Sequence, residues 1–217
     1  MYDTYLFDLD GTLTDPVEGI TKTFQATAEA FGIRTELADL ARFIGPPLRD
    51  SFKELGVTDE NVEQAVEKYR DIFWDKGIFQ NKLYPDLPKV LAQLKSDGKT
   101  LAVATNKVTA QANRILDHFD LAQYFSFVSG DNLDGSLSRN GKAEIIRIAL
   151  DNTGGKNAVM IGDRKHDILG AIAAGVDSIG ILWGYGSRDE LETAGATYII
   201  NEAAEILSLT RTNPSAP

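Results

Sequence analysis

The chain has 217 residues and contains no cysteine. This absence excludes disulfide bonds, thiolate metal sites and cysteine nucleophiles. It is also compatible with a reducing compartment, in which disulfides are rare. Together with the other absences below, it leads us to expect a cytoplasmic protein.

Basic residues are outnumbered, since 22 Lys and Arg against 32 Asp and Glu give a net charge of −10. A nucleic acid polymer or an anionic membrane would need a basic face, so we expect neither as the main partner. Long hydrophobic runs are missing as well, and no stretch approaches the ~20 apolar residues that span a bilayer. The first residues, MYDTYLFD, lack the basic and apolar segments of a signal peptide. Nothing in the sequence requires more than a monomer.

The hydrophobic content of 43% is sufficient for a large core, and its spacing changes along the chain. Residues 4–9 read as a buried strand, and strands alternate with helices from Pro85 onward, which is typical of a parallel α/β sheet. Residues 16–83 show helical periodicity and no convincing strand. We therefore predict an α/β core of residues 1–15 and 84–210, an inserted all-helical domain of residues 16–83, and a disordered tail at 211–217.

Two aspartates lie close together in the segment YLFDLDGTLT. Asp8 and Asp10 are two residues apart at the end of a predicted strand, so their side chains lean toward the same face. At about 4 Å and an effective dielectric constant near 20, two such charges repel each other by roughly 4 kcal/mol. A bound divalent cation would offset this repulsion. Taken alone, the pair also fits a solvated strand end.

Other predicted strand ends also carry polar residues. Thr105 and Asn106 follow the next strand, and Asp163 follows a later one, with Asp167 in the first turn of the helix after it. Ligands bind at the carboxyl ends of the strands in open parallel sheets. We therefore expect these side chains to converge with the acidic pair.

This set of side chains suits phosphoryl chemistry. Grouped carboxylates without His or Cys favour Mg²⁺. Lys142 after the loop DGSLSRNG, the Thr105 hydroxyl and the backbone N–H groups near Gly11 would surround a phosphoryl group. Positioning and charge neutralisation are the main requirements of phosphoryl transfer, and one carboxylate can attack phosphorus to form an aspartyl-phosphate.

The order of these segments resembles the four motifs of the haloacid dehalogenase-like hydrolase superfamily. The matching segments are DLDGT, Thr105–Asn106, Lys142 and GDRKHD, which together span residues 8–167. Members of this superfamily carry a helical cap inserted after the first motif. The resemblance therefore implies a Rossmann-like parallel α/β core with an all-helical cap, and it covers nearly the whole chain.

The resemblance also implies a role for each matching residue. Asp8 resembles the nucleophile, which is also a Mg²⁺ ligand. Asp10 resembles the acid/base residue that protonates the leaving oxygen and later activates water, and its backbone carbonyl binds the metal in the family. The remaining assignments are the phosphate-binding residues Thr105, Asn106 and Lys142, the metal ligand Asp163 and the metal-supporting residue Asp167.

Asp10 separates the activities within the superfamily, because dehalogenases and phosphonatases lack an acid there whereas phosphatases and phosphomutases keep it. The segment IGPPLRDSF resembles the phosphoglycolate phosphatase-like branch. The segments VMIGDRKHDILGA and GYGS resemble members described as 5′-nucleotidases or as generic phosphatases. The expected function is Mg²⁺-dependent hydrolysis of a small phosphorylated metabolite, phosphoglycolate phosphatase-like. Alternatives are a 5′-nucleotidase, a sugar phosphomutase, a pyrophosphatase, a protein-tyrosine phosphatase and a non-catalytic phosphate-binding protein.

Several of these residues also have a purely structural interpretation. The pair Thr105–Asn106 fits the N-cap of the following helix, and Asp167 fits the cap of its own helix. Lys142 has the alternative of a surface lysine. Arg49, after the Gly-Pro-Pro turn of the insert, fits either a contact to a substrate anion or a solvated helix residue. The loop Gly184–Gly186 fits either a contact to substrate or a plain turn, and we interpret it as a plain turn.

Overall fold

The structure is a computed structural model that describes residues 2–139 and 141–209. The chain divides into two compact units, one formed by Met1–Leu13 with Leu83–Pro217 and the other by Thr14–Lys82. The second unit begins two residues before the expected insert and ends one residue before it. The predicted tail, 211–217, lies outside the described residues.

The described residues form strands and helices that alternate through most of the first unit. The strands are β1 (Thr4–Phe7), β2 (Thr14–Asp15), β3 (Lys82–Leu83), β4 (Thr100–Val108), β5 (Phe127–Asp131), β6 (Ala158–Gly162), β7 (Asp177–Ile181) and β8 (Tyr198–Ile200). The helices are α1 (Val17–Ala30), α2 (Leu37–Leu40), α3 (Leu48–Glu54), α4 (Val62–Asp75), α5 (Leu87–Ser96), α6 (Thr109–His118), α7 (Ala143–Thr153), α8 (Lys165–Ala174) and α9 (Arg188–Ala194).

The first unit contains a six-stranded sheet with the order β5-β4-β1-β6-β7-β8. All of its strand pairs are parallel, which confirms the predicted parallel α/β fold. Strand β1 lies between β4 and β6, and all four of its residues are buried. Such a strand is buried and largely apolar because helices cover both faces of a parallel sheet.

One face of the sheet packs against α7 and α8 through a cluster of small and branched side chains. Small residues on β4 allow the helices to approach closely, and larger aliphatic residues fill the space between them. The fully buried members are Leu6, Ala102, Ala104, Ile145, Ile146, Ala149, Met160 and Ala171.

The second unit is mainly helical among its described residues, and its core is aromatic. Phe24 of α1 lies 4.7 Å from Tyr69, 5.0 Å from Phe52 and 5.4 Å from Phe43, measured between ring centroids. Near this core a Cβ on Gly19 would lie 2.0 Å from the carbonyl oxygen of Gly77, so the two backbones meet where a side chain has no room. The two short strands β2 and β3 pair with each other where the chain passes between the units.

Strand β4 is longer than the sequence indicated. The predicted strand ends at Thr105, whereas β4 continues to Val108 and α6 begins at Thr109. The register with β5 shifts between Ala104 and Val108, so the extra residues form an irregular extension of the ladder. Thr105 and Asn106 therefore lie inside a strand, and their interpretation as an N-cap is wrong because Val108 occupies that position.

The helices give no sign of a membrane-spanning segment. Within residues 2–139 and 141–209, none of them is both long and apolar enough to cross a bilayer.

Candidate active site

The carboxyl ends of the two central strands bring two aspartates to one edge of the sheet. Phe7 of β1 lies opposite Ile161 of β6, and the N–H of Asp8 donates a hydrogen bond to the carbonyl oxygen of Ile161 at 2.9 Å. Asp8 follows β1 directly, and Asp163 follows β6 directly. Parallel register therefore places them almost side by side, as the strand-end argument predicts.

Asp167 completes a group that we call the carboxylate cluster (Asp8, Asp163 and Asp167). Each residue offers one carboxylate oxygen, and these oxygens all lie within 4.8 Å of one another. Asp167 lies in the first turn of α8, where its Oδ2 accepts a hydrogen bond from the N–H of Arg164 at 3.0 Å. Asp167 therefore caps its helix, which confirms the structural interpretation, and it also belongs to the carboxylate cluster.

Lys142 bridges two members of the carboxylate cluster. Its Nζ lies 2.6 Å from Oδ1 of Asp8 and also contacts Oδ1 of Asp167. The side chain is only 2% exposed, so the interpretation of Lys142 as a surface lysine is wrong. Burial lowers the pKa of Lys142, whereas the charges of Asp167 and Asp8 raise it. The combined effect of the two carboxylates is larger, so the pKa is raised above its ordinary value.

The carboxyl groups of the cluster are difficult to ionise together. Burial raises the pKa of Asp163 to about 8, and the charges of Asp167 and Asp8 act in the same direction. Burial also raises the pKa of Asp167 to about 6, although the charge of Lys142 opposes this shift. A bound cation would lower both pKa values, because an opposite charge favours the ionised form.

Asp163 is held by backbone and side-chain donors from two loops. The N–H of Tyr185 donates to its Oδ2 at 2.8 Å, and the Thr12 hydroxyl donates to its Oδ1 at 3.4 Å. Two glycines allow this approach: a Cβ on Gly184 would lie 2.3 Å from Asp163 Cβ, and one on Gly11 would lie 2.4 Å from its Oδ2. The loop Gly184–Gly186, interpreted as a plain turn, thus packs directly against Asp163.

Asp10 has a separate partner. Its Oδ2 lies 2.9 Å from Nζ of Lys107, and its Oδ1 is buried without a hydrogen-bond partner among the described residues. Burial raises the pKa of the Asp10 carboxyl group, and the positive charge of Lys107 opposes that shift. The side chain of Asp10 is thus outside the carboxylate cluster, so its assigned role as a metal ligand would have to be carried by its backbone carbonyl.

Thr105 and Asn106 occupy the irregular end of β4. The Thr105 hydroxyl oxygen accepts a hydrogen bond from the N–H of Lys107 at 3.2 Å, and its side chain is buried. The side-chain oxygen Oδ1 of Asn106 is buried with no partner among the residues described. Both side chains therefore lie on the strand that also carries Lys107, the partner of Asp10.

Arg49 belongs to the second unit, where it forms an ion pair with a glutamate. Its Nε and Nη2 donate to the two carboxylate oxygens of Glu63 at 2.6 and 3.0 Å. This ion pair is exposed, with 38% of the arginine side chain and 64% of the glutamate side chain accessible. The assigned contact to a substrate anion stays a prediction.

The donor set of the carboxylate cluster fits Mg²⁺. The three aspartates supply only oxygen ligands, which this hard cation prefers. If all are ionised, three carboxylates against the single ammonium of Lys142 leave two net negative charges, the charge that a divalent ion neutralises.

Two features of the site escaped the sequence analysis. The position of Lys107 directly after the Thr105–Asn106 pair was a sequence signal that it lies near the site. Its contact with Asp10, however, depends on the irregular register of β4. The contact between Tyr185 and Asp163 depends on two close backbone approaches. Its signal was the Gly-Tyr-Gly spacing after a predicted strand end.

A protein-family model matches most of the sequence. A family model described as haloacid dehalogenase-like hydrolase matches residues 5–181. That range contains all the residues of the carboxylate cluster, together with Lys142 and the Asp10–Lys107 pair.

Curated proteins with similar sequences have several names. A 5′-nucleotidase of Pseudomonas aeruginosa is 41% identical over 209 residues, covering 94% of each chain. The tyrosine-protein kinase PtkA of Mycobacterium tuberculosis is 36% identical, over 91% of this chain and 68% of its own length. A phosphoglycolate phosphatase of Aquifex aeolicus is 30% identical, over 83% of this chain and 84% of its own length.

Solved structures are similar over almost the whole chain. A crystal structure described as a predicted phosphatase from Clostridium acetobutylicum superposes with a TM-score of 0.90 and 43% sequence identity. The match covers 96% of this chain and 100% of that one.

Proposed function

Because the chain belongs to the haloacid dehalogenase-like hydrolase family, we propose that it is a Mg²⁺-dependent phosphomonoesterase acting through an aspartyl-phosphate on Asp8. The observation that carries the proposal is the convergence of Asp8, Asp163 and Asp167, two of which, Asp8 and Asp167, contact the buried Lys142. The phosphatase relatives support the reaction class, and the acidic cluster supports the metal. We infer a small phosphorylated metabolite as the substrate.

In the first half of the proposed reaction, Asp8 attacks the substrate phosphorus. A bond forms between a carboxylate oxygen of Asp8 and phosphorus, and the bond from phosphorus to the ester oxygen breaks. Asp10 gives its proton to the departing ester oxygen, and the raised pKa of its carboxyl group favours the protonated form that this step needs. Lys142 and the Thr105 hydroxyl are assigned to the equatorial phosphoryl oxygens.

In the second half, water attacks the phosphorus of the Asp8 phosphoester. Asp10, now ionised, takes a proton from that water while the bond between Asp8 and phosphorus breaks. Inorganic phosphate leaves, and both aspartates return to their starting states. Asn106 is assigned to the same phosphate site, and its buried amide oxygen has no partner among the described residues, so it can accept a hydrogen bond from a bound ligand or water.

Mg²⁺ would be held by Asp8 and Asp163, with Asp167 in support and the backbone carbonyl of Asp10 as a further ligand. When bound, the ion would neutralise charge on the transferred phosphoryl group and lower the repulsion between these carboxylates.

A nucleoside 5′-monophosphate is the first substrate candidate, and phosphoglycolate is the second. The 5′-nucleotidase relative is more similar and covers more of the chain than the phosphoglycolate phosphatase relative, which reverses the order expected from the cap segment. The PtkA relative makes transfer of a phosphoryl group to or from tyrosine a third candidate.

A panel of phosphorylated metabolites tests this proposal. Purified protein with and without Mg²⁺ is incubated with AMP, 2-phosphoglycolate, sugar phosphates, pyrophosphate, phosphotyrosine peptide and p-nitrophenyl phosphate, and released phosphate is measured. Asp8→Asn should abolish turnover, whereas Asp97→Asn, which replaces an exposed aspartate, should not. Phosphoryl transfer without phosphate release would indicate a mutase, and activity retained in Asp8→Asn would contradict the nucleophile.

Arg49 remains a proposed substrate contact. Arg49→Gln should raise KM for the best substrate without changing kcat, because the residue binds and does not react. Arg42→Gln is a matched control, since Arg42 forms a similar exposed ion pair with Glu54 at 3.1 Å in the same unit. If KM is no higher in Arg49→Gln than in Arg42→Gln, Arg49 does not contact the substrate.

A further inference from the structure

Lys107 is a nearly buried lysine that contacts the proposed acid/base residue. Its Nζ lies 2.9 Å from Oδ2 of Asp10, and 8% of its side chain is exposed against 16% for Asp10. At this distance and burial the pair forms a charge-assisted hydrogen bond, which fixes geometry better than an exposed ion pair does. The cation of the carboxylate cluster is a different residue, Lys142, so each part of the site has its own lysine.

The backbone of Lys107 is fixed on both sides. Its N–H donates to the Thr105 hydroxyl oxygen at 3.2 Å. On β5, a Cβ on Gly130 would lie 2.6 Å from the carbonyl oxygen of Lys107, so the two strands approach too closely for any side chain there. The register shift of β4 before Val108 sets the local course of this segment. Lys107 therefore extends from a rigid position.

The contact with Lys107 gives the two oxygens of the Asp10 carboxyl group different surroundings. Oδ2 is occupied by Lys107, whereas Oδ1 is buried and has no partner in the part of the chain that the structure describes. A buried oxygen without a partner costs free energy unless a ligand or water completes it. The two oxygens are therefore not equivalent toward a bound substrate.

We propose that Lys107 is a positioning residue, which holds Asp10 through Oδ2 so that Oδ1 is the oxygen that exchanges a proton with the substrate. This inference rests on the proposed phosphomonoesterase function. In the first half-reaction the proton leaves Oδ1 for the ester oxygen as the phosphorus–oxygen bond breaks. In the second half-reaction Oδ1 receives a proton from the attacking water. Lys107 itself exchanges no proton and forms no bond to phosphorus.

Substrates with different leaving groups distinguish a positioning role of Lys107 from a purely structural one. An alkoxide leaving group needs protonation by Asp10, whereas p-nitrophenolate departs without it. The value of kcat/KM depends only on the steps up to formation of the Asp8 phosphoester. It is therefore not affected by the later step in which Asp10 acts as a base. The experiment compares kcat/KM for p-nitrophenyl phosphate with kcat/KM for the alkyl phosphate that the wild type hydrolyses fastest.

Lys107→Met should lower kcat/KM for the alkyl phosphate by about 100-fold, the lower range of general acid catalysis, and for p-nitrophenyl phosphate by less than about 10-fold. Lys107→Arg, which retains a donor to Oδ2, should recover part of the loss. In an Asp10→Asn background, Lys107→Met should have little further effect on the alkyl phosphate, because both changes remove the same step.

Two controls keep the result interpretable. Lys99→Met replaces a part-buried lysine directly before the other end of β4, paired with Asp3 at 3.7 Å, and should leave both kcat/KM values unchanged. Lys107→Gln preserves a hydrogen-bond donor without the charge and serves if the methionine variant does not fold, as judged by circular dichroism.

Equal losses on both substrates, or additive losses in the Asp10→Asn background, would overturn the role of Lys107 while leaving the phosphatase proposal intact. A wild-type protein that hydrolyses none of the phosphomonoesters would instead contradict the proposed function itself. A large loss on the alkyl phosphate alone supports both.

Discussion

The backbone N–H of Tyr185 donates a hydrogen bond to Oδ2 of Asp163 at 2.8 Å, although the two residues are 22 positions apart in the chain. This bond connects the loop after β7 with a member of the carboxylate cluster. Since a hydrogen bond to a carboxylate favours its ionised form, it lowers the pKa of Asp163 against the larger effect of burial. The loop therefore helps to set both the direction and the charge of a proposed metal ligand.

Gly184→Ala should weaken metal binding. The new Cβ would lie 2.3 Å from Asp163 Cβ and 2.5 Å from the Gly11 carbonyl oxygen, so Asp163 or the loop must move. Changes in groups that orient metal ligands cost about 10- to 100-fold in affinity, and we expect a loss in this range. Isothermal titration of metal-free protein with Mg²⁺ measures it. Gly98→Ala is a control for general destabilisation, because a Cβ there would meet no atom within 4 Å, although the position has a φ of +72°. An equal loss of Mg²⁺ affinity in that variant would show that the Gly184 effect does not depend on contact with Asp163.

Lys142→Met should destabilise the metal-free protein by about 3 kcal/mol or more, because removing one partner of a buried ion pair leaves uncompensated charge. Mg²⁺ should restore more stability to the variant than to the wild type, since the ion then supplies the missing positive charge. Urea unfolding with chelator and with Mg²⁺ measures both effects. Lys156→Met, at an exposed position, should change neither. A variant as stable as the wild type in chelator would contradict this account of Lys142.

The stability of the metal-free protein should fall as the pH rises from 7 to about 8 and level off toward pH 9. Burial raises the pKa of Asp163 to about 8, above its ordinary value, so its protonated form is favoured in the folded state and this contribution is lost as the pH passes 8. The slope for one group is at most about 1.4 kcal/mol per pH unit. This range lies above the ordinary pKa of histidine, near 6.5, and so avoids the opposite effect of His166, whose pKa is lowered by burial.

Unfolding in chelator at several pH values measures this dependence. Asp163→Asn, which cannot ionise, should remove most of the slope, and saturating Mg²⁺ should do the same in the wild type. Stability that does not change between pH 7 and 8 in chelator would show that Asp163 is already ionised in the folded protein.

Tyr2→Phe should lower the free energy of unfolding by about 1 to 2 kcal/mol at neutral pH. The change removes the hydrogen bond that the fully buried Tyr2 hydroxyl donates to Oδ2 of Asp177 at 2.7 Å. Burial also raises the pKa of Tyr2, so its stabilising contribution is present below about pH 10, the ordinary tyrosine value, and is lost above it. Thermal unfolding from pH 7 to 11 checks both statements. Tyr124→Phe, at a half-buried position, is the matched control.

The fold was predictable because its signals are local. The apolar run of β1 and the alternation of strands with helices after Pro85 follow from hydrophobic spacing alone, and the parallel sheet confirms them. The end of β4 was not predictable in the same way. Its extension to Val108 depends on pairing with Asp131 of β5, and the sequence near Thr105 contains no sign of that contact.

The site was predictable where side chains follow strand ends directly. Asp8 and Asp163 meet because adjacent parallel strands end together, and Asp167 follows one helical turn later. The connection from Lys107 to Asp10 required an irregular strand register, and that from Tyr185 to Asp163 required glycine at two tight approaches. Such contacts are set by tertiary packing and not by spacing along the chain.

The central place of β1 in the sheet has a consequence for synthesis on the ribosome. Both of its neighbours, β4 and β6, are encoded downstream of the entire Thr14–Lys82 unit. At about 5 to 20 residues per second, the roughly 90 residues between β1 and β4 take several seconds to be translated. During that interval the buried segment Thr4–Phe7 has been synthesised without a strand to pair with. Thr4–Phe7, next to the residue proposed as the nucleophile, therefore has no strand to pair with until β4 has been synthesised, and aggregation and chaperone binding compete with folding in that interval.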